Sequence, residues 1–379
     1  MEASEFERRP VTQGVNRLQS IQALRAVAAV AVIFTHAITR IGITFPGMGH
    51  DSFLTRPGFL TIGDSGVDLF FVISGFIILY VHRGDFGKPR APLKFMAKRI
   101  FRVVPIYWFL TTMTVVLLAS APQLFRTHYA GIDVPWIVGS YFFLPVPAPT
   151  GATGPVVGVG WTLNYEMFFY SAFAVALLLS PKVGLQLVFI CFGALVAVGT
   201  QLQAANPLVS FVTDWLLLDF LLGVAIAWRF LSRGPLSDAA RHAVLLIGII
   251  YLAATIVWTP PETGPLRFFL WGIPTALIVF AASSSRGSNS RFAGLLSKLG
   301  DASYSIYLFQ FFALPAWARA MQAIGTGPLS FELNVALLTI LVTVSGVGCW
   351  FFLERPLTRL AQDTFRPEIS RARHLRVDR

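Results

Sequence analysis

The sequence predicts an all-α integral membrane protein with about ten transmembrane helices and both termini in the cytoplasm. Three observations lead there. Of the 379 residues, 55% are hydrophobic and only 13% are charged, about half the charge content of a soluble domain. Apolar runs of roughly 17–25 residues, long enough to cross the hydrocarbon, recur along the chain. The formal net charge of +11 is concentrated between those runs rather than spread through them. Mean hydropathy is +0.66 over the whole length, which calls for a bilayer rather than a soluble core.

The apolar runs fall at about 20–41, 63–81, 103–120, 158–180 and 183–201, then at about 211–228, 243–258, 266–283, 301–322 and 333–353. Orientation follows from the basic residues. With the N-terminus inside, 24 of the 30 lysines and arginines fall in cytoplasmic segments, seven of them between Arg83 and Arg102 and seven from Arg355 to Arg379. Arg25 lies near the start of the first span, and Arg40, Arg56, Arg126, Arg267 and Arg319 belong to outer loops and span ends. Such a bias fixes topology. It also suits anionic lipid as the partner of the basic segments and excludes a nucleic-acid footprint. Residues 1–17 read as a polar cytoplasmic segment, unlike a secretory signal. Residues 18–360 form the transmembrane domain, and residues 361–379 a basic cytoplasmic tail. Cys191 and Cys349 lie in apolar runs, with no disulfide or metal-ligand spacing. The longest outer segment, about 121–157, is rich in Pro and Gly. Its stretch from Trp136 to Leu144 is too short to cross and reads either as a re-entrant part of a binding site or as a simple interfacial anchor.

An ionisable group inside a membrane is costly unless partnered or hydrated. Of six histidines only His36 falls within a span. Its position alone leaves two readings, a functional imidazole or a neutral one bonded to a neighbouring helix. Arg25 precedes it by 11 residues, which is three helical turns plus about 20°, so both head the same way about 16 Å apart. One face then carries a cation near the cytoplasm and an imidazole in the outer half of the membrane. Asp68 lies about one turn below the outer surface, at a depth similar to His36. A carboxylate there either orients the imidazole or sits as a helix-end charge. Asp64, nearer the helix start, fits the second role better. Glu166 lies about two turns down on the same side, placed to bind sugar hydroxyls or hold a proton. Trp161 suits stacking on a sugar ring or an aromatic belt. Asp214 and Asp219 are intramembrane acids without an assigned role. On the cytoplasmic side Arg99 and Arg102 are spaced i, i+3 on one helix face, a pair of guanidiniums matched to phosphate.

These residues resemble the membrane-bound acyltransferase-3 family, and within it the exopolysaccharide O-acetyltransferases of the succinoglycan type. The matching pieces are Leu18–Ala29 with His36 completing an R-x10-H pattern, and Gly66-Val-Asp68-Leu-Phe-Phe-Val-Ile-Ser74-Gly75-Phe. Further pieces are Arg99-x-x-Arg102, Trp161-Thr-Leu-x-x-Glu166-x-x-x-Tyr170, Leu299-Gly-x-x-Ser303-Tyr304-Ser-Ile-Tyr307-Leu and Glu354-Arg355-Pro356. The likeness runs from about residue 17 to 360. Three departures are visible: Thr162 where Ser is usual, Ala26 where Gly is usual, and Gln310 where many members place His. The last casts doubt on a proton role there and leaves hydrogen bonding.

The resemblance implies a ten-span core in a bacterial inner membrane, acyl-CoA (acetyl-CoA by default) as the cytoplasmic donor substrate, and no permanently bound cofactor or metal. It implies a glycan or lipid-linked sugar as acceptor. His36, Asp68 and Glu166 are expected to be catalytic, with Asp68 assisting His36. Arg25, Arg99 and Arg102 are expected to bind the acyl-CoA, and Trp161, Tyr304 and Gln310 the acceptor. The rival readings are an acyltransferase acting on a lipid, peptidoglycan or a small metabolite, and a secondary transporter in which the intramembrane charges form a proton relay. The transporter lacks its usual sign, paired interrupted helices in two halves.

Overall fold

A computed structural model describes residues 14–121, 131–151, 154–202, 206–257, 264–285, 287 and 290–360. The expected tail 361–379 lies outside the described residues, as does the expected N-terminal segment up to residue 13. The described chain is helical, without strands. Its helices are α1 (Gly14–Thr44), α2 (Ser65–His82), α3 (Ala91–Ser120), α4 (Val134–Tyr141), α5 (Trp161–Ala176) and α6 (Pro181–Gly199). There follow α7 (Leu217–Arg233), α8 (Asp238–Ala254), α9 (Ile273–Ser283), α10 (Arg291–Asp301), α11 (Ser303–Ala323) and α12 (Phe331–Cys349). Several begin with a side chain that satisfies otherwise unpaired amides of the first turn. Ser237 accepts from the Ala240 N–H, Ser290 from Ala293, and Ser330 from Leu333. Single turns of π-helix stand before α9 (Phe268–Gly272) and after α12 (Trp350–Glu354).

Among the described residues, eight helical stretches are long and apolar enough to cross a membrane, so the protein is a multi-pass integral membrane protein. The remaining two expected spans, about 158–180 and 301–322, coincide with α5 and α11. At 16 residues α5 is shorter than the other eight, and α11, at 21, is long enough but less apolar. They carry buried polar residues instead: Thr162 and Asn164 in α5, and Ser303, Ser305 and Gln310 in α11. The third span was expected from about 103, but α3 starts at Ala91. The basic stretch Lys94–Arg102 continues the same helix below the apolar run, because helical propensity does not stop where hydropathy does.

α2 is the hub. Of the 18 residues of α2, 13 are buried, whereas in α8 at the periphery only Gly248 is. α2 and α7 approach closely through a reciprocal pair of glycines. A Cβ on Gly75 would stand 2.1 Å from the Phe220 carbonyl oxygen, and one on Gly223 2.0 Å from that of Val72. Small residues at such crossings replace the hydrophobic drive that lipid cannot supply. Phe71 stacks on Phe220 at 4.5 Å, and Phe169 of α5 stacks on it at 4.6 Å.

A buried ion pair ties α2 to the turn Pro265–Arg267 that leads into α9. Asp68, fully buried, accepts from Arg267 in two bonds, Nη2 to Oδ2 at 2.8 Å and Nε to Oδ1 at 3.2 Å. The same guanidinium donates to the Asp64 carbonyl at 3.3 Å and lies over the Trp271 ring, 4.9 Å from its centroid. Asp219 of α7 is the second carboxylate in its field. Arg267, expected among outer loops and span ends, is thus 4% exposed and inside the protein. Counting basic residues locates them along the membrane normal but is blind to burial.

The outer segment around α4 is folded rather than lipid-anchored by its tryptophan. Asp133 caps α4, accepting from the Trp136 N–H at 2.7 Å. The Trp136 ring is fully buried and its Nε1 donates to the Gly154 carbonyl at 2.7 Å. Trp108 and Thr112 of α3 bind Tyr141 through its carbonyl and hydroxyl. Phe143, at φ 58°, stacks on Tyr107 at 4.8 Å. His128 lies outside the described residues.

Breaking a buried pair strands its partner's charge and costs about 3–5 kcal/mol, whereas replacing both members is far less damaging. Arg267→Met should therefore lower the melting temperature in detergent markedly. The Asp68→Asn, Arg267→Met double variant should recover most of the loss. Equal melting of the single variant and the wild type would show that the pair contributes no stability.

Candidate active site

α1, α2, α3, α5 and α11 enclose a cleft with about 770 Å³ of atom-free space. Arg25, Arg99, Arg102, Glu166 and Tyr304 all line it, together with Ser74, Thr162, Tyr170, Ser303 and Tyr307. Each arrives by ordinary helix geometry. α2 contributes Val67, Phe70, Phe71, Ser74, Ile77 and Ile78, a stripe at i, i+3/4, i+7 and i+10/11. α3 contributes Arg99 and Arg102 from adjacent turns.

The polar walls are mutually bonded. Arg25 Nε donates to Ser303 Oγ at 3.1 Å. Glu166 Oε1 accepts from Ser74 Oγ at 3.3 Å and from the Tyr170 hydroxyl. Arg99 lies over the rings of Phe95 and Tyr170, 5.4 Å from each centroid. Thr162 donates to the Tyr307 hydroxyl at 3.1 Å, and that hydroxyl donates to the Val159 carbonyl at 2.9 Å. The hydroxyl at position 162 is used, so Thr fills the place where Ser was expected. Tyr304 spends its hydroxyl on the Val103 carbonyl at 2.8 Å, so what it offers the cleft is its ring. Arg25 lies within electrostatic reach of Arg102, Glu166 and Glu354. Three guanidiniums against two carboxylates leave a cationic cleft, suited to an anionic ligand. A neighbouring cleft shares Arg102 and is lined also by Trp350, Arg355 and Arg359, which extends the basic surface.

Other expected site residues lie elsewhere. His36 is on α1 but does not line the cleft. α1 is unbroken from Arg25 to His36, so the imidazole stands about 16 Å further along the same face. Among the described residues it makes no hydrogen bond, leaving both ring nitrogens available. Asp68 was expected to assist His36 and instead spends its carboxylate on Arg267. The reason is heading. Gly66 packs on Ala28 and Val32 of α1, and Asp68, two residues on, is turned about 200° away from that contact. Equal depth in the membrane did not mean a shared face. Trp161 meets Tyr165 edge-on at 5.8 Å and is not a cleft wall. Gln310 is fully buried, its Nε2 donating to the Tyr307 carbonyl at 2.8 Å, and it too lies off the cleft.

Of the two acids without an assigned role, Asp214 gains a structural one. Asp214 Oδ1 accepts from the Leu216 N–H at 2.9 Å ahead of α7, and its Oδ2 accepts from the Tyr165 hydroxyl at 3.2 Å. Glu354, at the end of the second π turn, accepts from Ser305 Oγ at 2.5 Å. Sequence reasoning did not single out Ser74, Ser303, Tyr307 or Arg267. The first three were visible only as letters inside larger motifs.

Comparison with known proteins gives a consistent result. Residues 18–355 match the acyltransferase-3 family model, described as an acyltransferase domain. The exopolysaccharide production protein ExoZ of Rhizobium meliloti (strain 1021) is 33% identical over 79% of this chain and 90% of its own length. O-acetyltransferase OatA of Staphylococcus aureus (strain NCTC 8325 / PS 47) is 22% identical over 95% of this chain, which spans only 60% of that longer protein. Acyltransferase MdmB of Streptomyces mycarofaciens is 23% identical over 91% of this chain and 93% of its own. No solved structure matches. The transporter reading falls away, and the chain belongs to the acyltransferase-3 family of membrane acyltransferases.

Proposed function

We propose that this enzyme is an O-acyltransferase that takes an acyl group, acetyl by default, from cytoplasmic acyl-CoA and places it on a sugar hydroxyl of an exopolysaccharide or another surface glycan. One observation carries the reading: the cleft unites Arg25, Arg99 and Arg102 with Glu166. Both termini face the cytoplasm in this reading, on the strength of the basic-residue bias, and the membrane is the bacterial inner membrane. The donor's phosphates meet Arg99 and Arg102 first, with Arg25 behind them. Its flexible arm extends up the cleft along the α2 stripe. The relative named for exopolysaccharide production supports a sugar acceptor.

His36, with both ring nitrogens unspent, removes the proton as the acceptor hydroxyl attacks the thioester carbonyl. The new C–O bond forms, the C–S bond breaks, and the departing thiolate takes the proton back from the imidazolium. General-base help of this kind is typically worth about 10²–10⁴ in rate. Asp68 acts at a distance, by fixing α2. Glu166, steadied by Ser74 and Tyr170, bonds an acceptor hydroxyl. Of the residues expected at the acceptor, Tyr304 offers its ring to the cleft, while Trp161 and Gln310 act from behind its walls.

Four outcomes follow. Arg99→Ala and Arg102→Ala should each raise the KM for acyl-CoA by about tenfold or more, the loss of a charged hydrogen bond of about 1.5–3 kcal/mol, with little change for the acceptor. An unchanged acyl-CoA KM in the double variant would remove both from the donor site. His36→Ala should abolish turnover while the protein purifies and melts normally. Rapid quench of the wild type with labelled acyl-CoA and no acceptor should show no adduct. A stoichiometric acyl group on His36 that passes to added acceptor would replace direct attack with a covalent route. Cysteines introduced at Arg379 and at His128 should label from opposite sides of the membrane, and labelling from one side would overturn the ten-span topology.

A further inference from the structure

His82 closes α2 at the expected cytoplasmic end, and the mechanism above does not use it. It is buried, 3% exposed. Its Nδ1 lies 2.8 Å from Asp85 Oδ2 and its Nε2 lies 3.4 Å from Arg99 Nη2. Arginine has donors only, so the contact with Arg99 requires Nε2 to be the unprotonated, accepting nitrogen. Nδ1 then carries the hydrogen and donates to the Asp85 carboxylate, which is 42% exposed. The imidazole plane is held edge-on by the Phe95 ring at 4.9 Å and 90°. Phe95 is also one of the two rings that bracket the Arg99 guanidinium. An unbroken chain results: Asp85 at the surface, His82, Arg99, Tyr170, Glu166 and Ser74 in the cleft. Among the described residues Arg99 Nε has no hydrogen-bond partner, so the guanidinium keeps a donor unspent while His82 and the two rings fix its plane.

We propose that His82 is a positioning residue for Arg99: in its neutral form, aimed by Asp85, it holds the guanidinium in the orientation that receives the anionic end of the donor. Protonation of His82 converts Nε2 from acceptor to donor and sets two cations side by side, which releases Arg99. The charged groups facing His82 are Asp85 on the following turn and Lys98 and Arg99 on α3. Tyr170 of α5 adjoins through Arg99. Of these only Asp85 favours the protonated ring. Donor binding therefore weakens as the pH on the cytoplasmic face falls through the range of an imidazole.

The inference rests on the reading of Arg99 as a donor-binding residue, and the test separates the two. Purified full-length protein is assayed with acetyl-CoA at saturating acceptor from about pH 8 to about pH 5. The variants are His82→Ala, His82→Gln and Arg99→Ala. His82→Ala should raise the acetyl-CoA KM about fivefold at pH 8 with a smaller change in kcat. His82→Gln, whose amide reaches the position of Nε2 and does not titrate, should recover most of that loss. In the wild type the acetyl-CoA KM should climb at acid pH, and in His82→Gln it should stay level. A His82→Gln profile that climbs like the wild type overturns the inference, as does a His82→Ala effect confined to kcat. If Arg99→Ala leaves the acetyl-CoA KM unchanged, the donor reading fails and the inference fails with it. If Arg99→Ala raises that KM while both His82 variants match the wild type, only the inference fails.

Discussion

The rotation of α2 about its own axis is the setting on which the site depends, and the buried Asp68–Arg267 pair holds it. A helix with 13 of its 18 residues buried has neighbours on most sides, and the ion pair adds to the glycine crossing with α7 a second constraint on its heading. A doubly bonded carboxylate constrains that heading, because a turn of the helix would leave two charges unpaired in a medium that solvates neither. With Asp68 aimed at Arg267, the residues in register with it, Val72 and Gly75, face α7. Gly66 faces α1. The stripe from Val67 through Phe70 and Ser74 to Ile78 is left to line the cleft. Asp68 thus matters to the chemistry without touching it.

Much of the architecture was legible because hydropathy and helix geometry answer simple questions. Apolar runs gave the helices, and i, i+3 spacing put Arg99 and Arg102 on one wall. Charge at the cytoplasmic boundary brought Arg25 into their company. What failed was the step from depth to contact. Asp68 and His36 were matched by height, yet height is one coordinate of three, and helix heading decided the partner. Gly66 held the missing clue, since a glycine in an apolar helix marks the face of closest approach and so tells which side Asp68 avoids. Arg267 was unreadable for a related reason. It sits where topology rules expect a loop charge, and only its pairing with an acid 199 residues away shows it to be internal.

The helices that sequence hydropathy ranks lowest among the expected spans, α5 and α11, form the walls with the most chemistry. Their polar side chains would be costly in lipid. Several of them are satisfied by one another, by the backbone or by a neighbouring helix: Thr162 with Tyr307, Tyr304 with Val103, Ser305 with Glu354, and Ser303 with Arg25. Such helices need neighbours on nearly all sides, which the more apolar helices provide. The same economy places unsatisfied groups where a ligand would complete them. Among the described residues, Arg99 Nε and the Gln22 side-chain amide oxygen are buried without a hydrogen-bond partner, on helices α3 and α1 that border the clefts. Arg99 is bracketed by two aromatic rings and one imidazole, with its Nε unspent. A guanidinium held that firmly loses little freedom when an anion arrives, so more of the bond's strength appears as binding. The firmness of that hold, more than the number of arginines, separates Arg99 from the ordinary basic rim of a membrane protein.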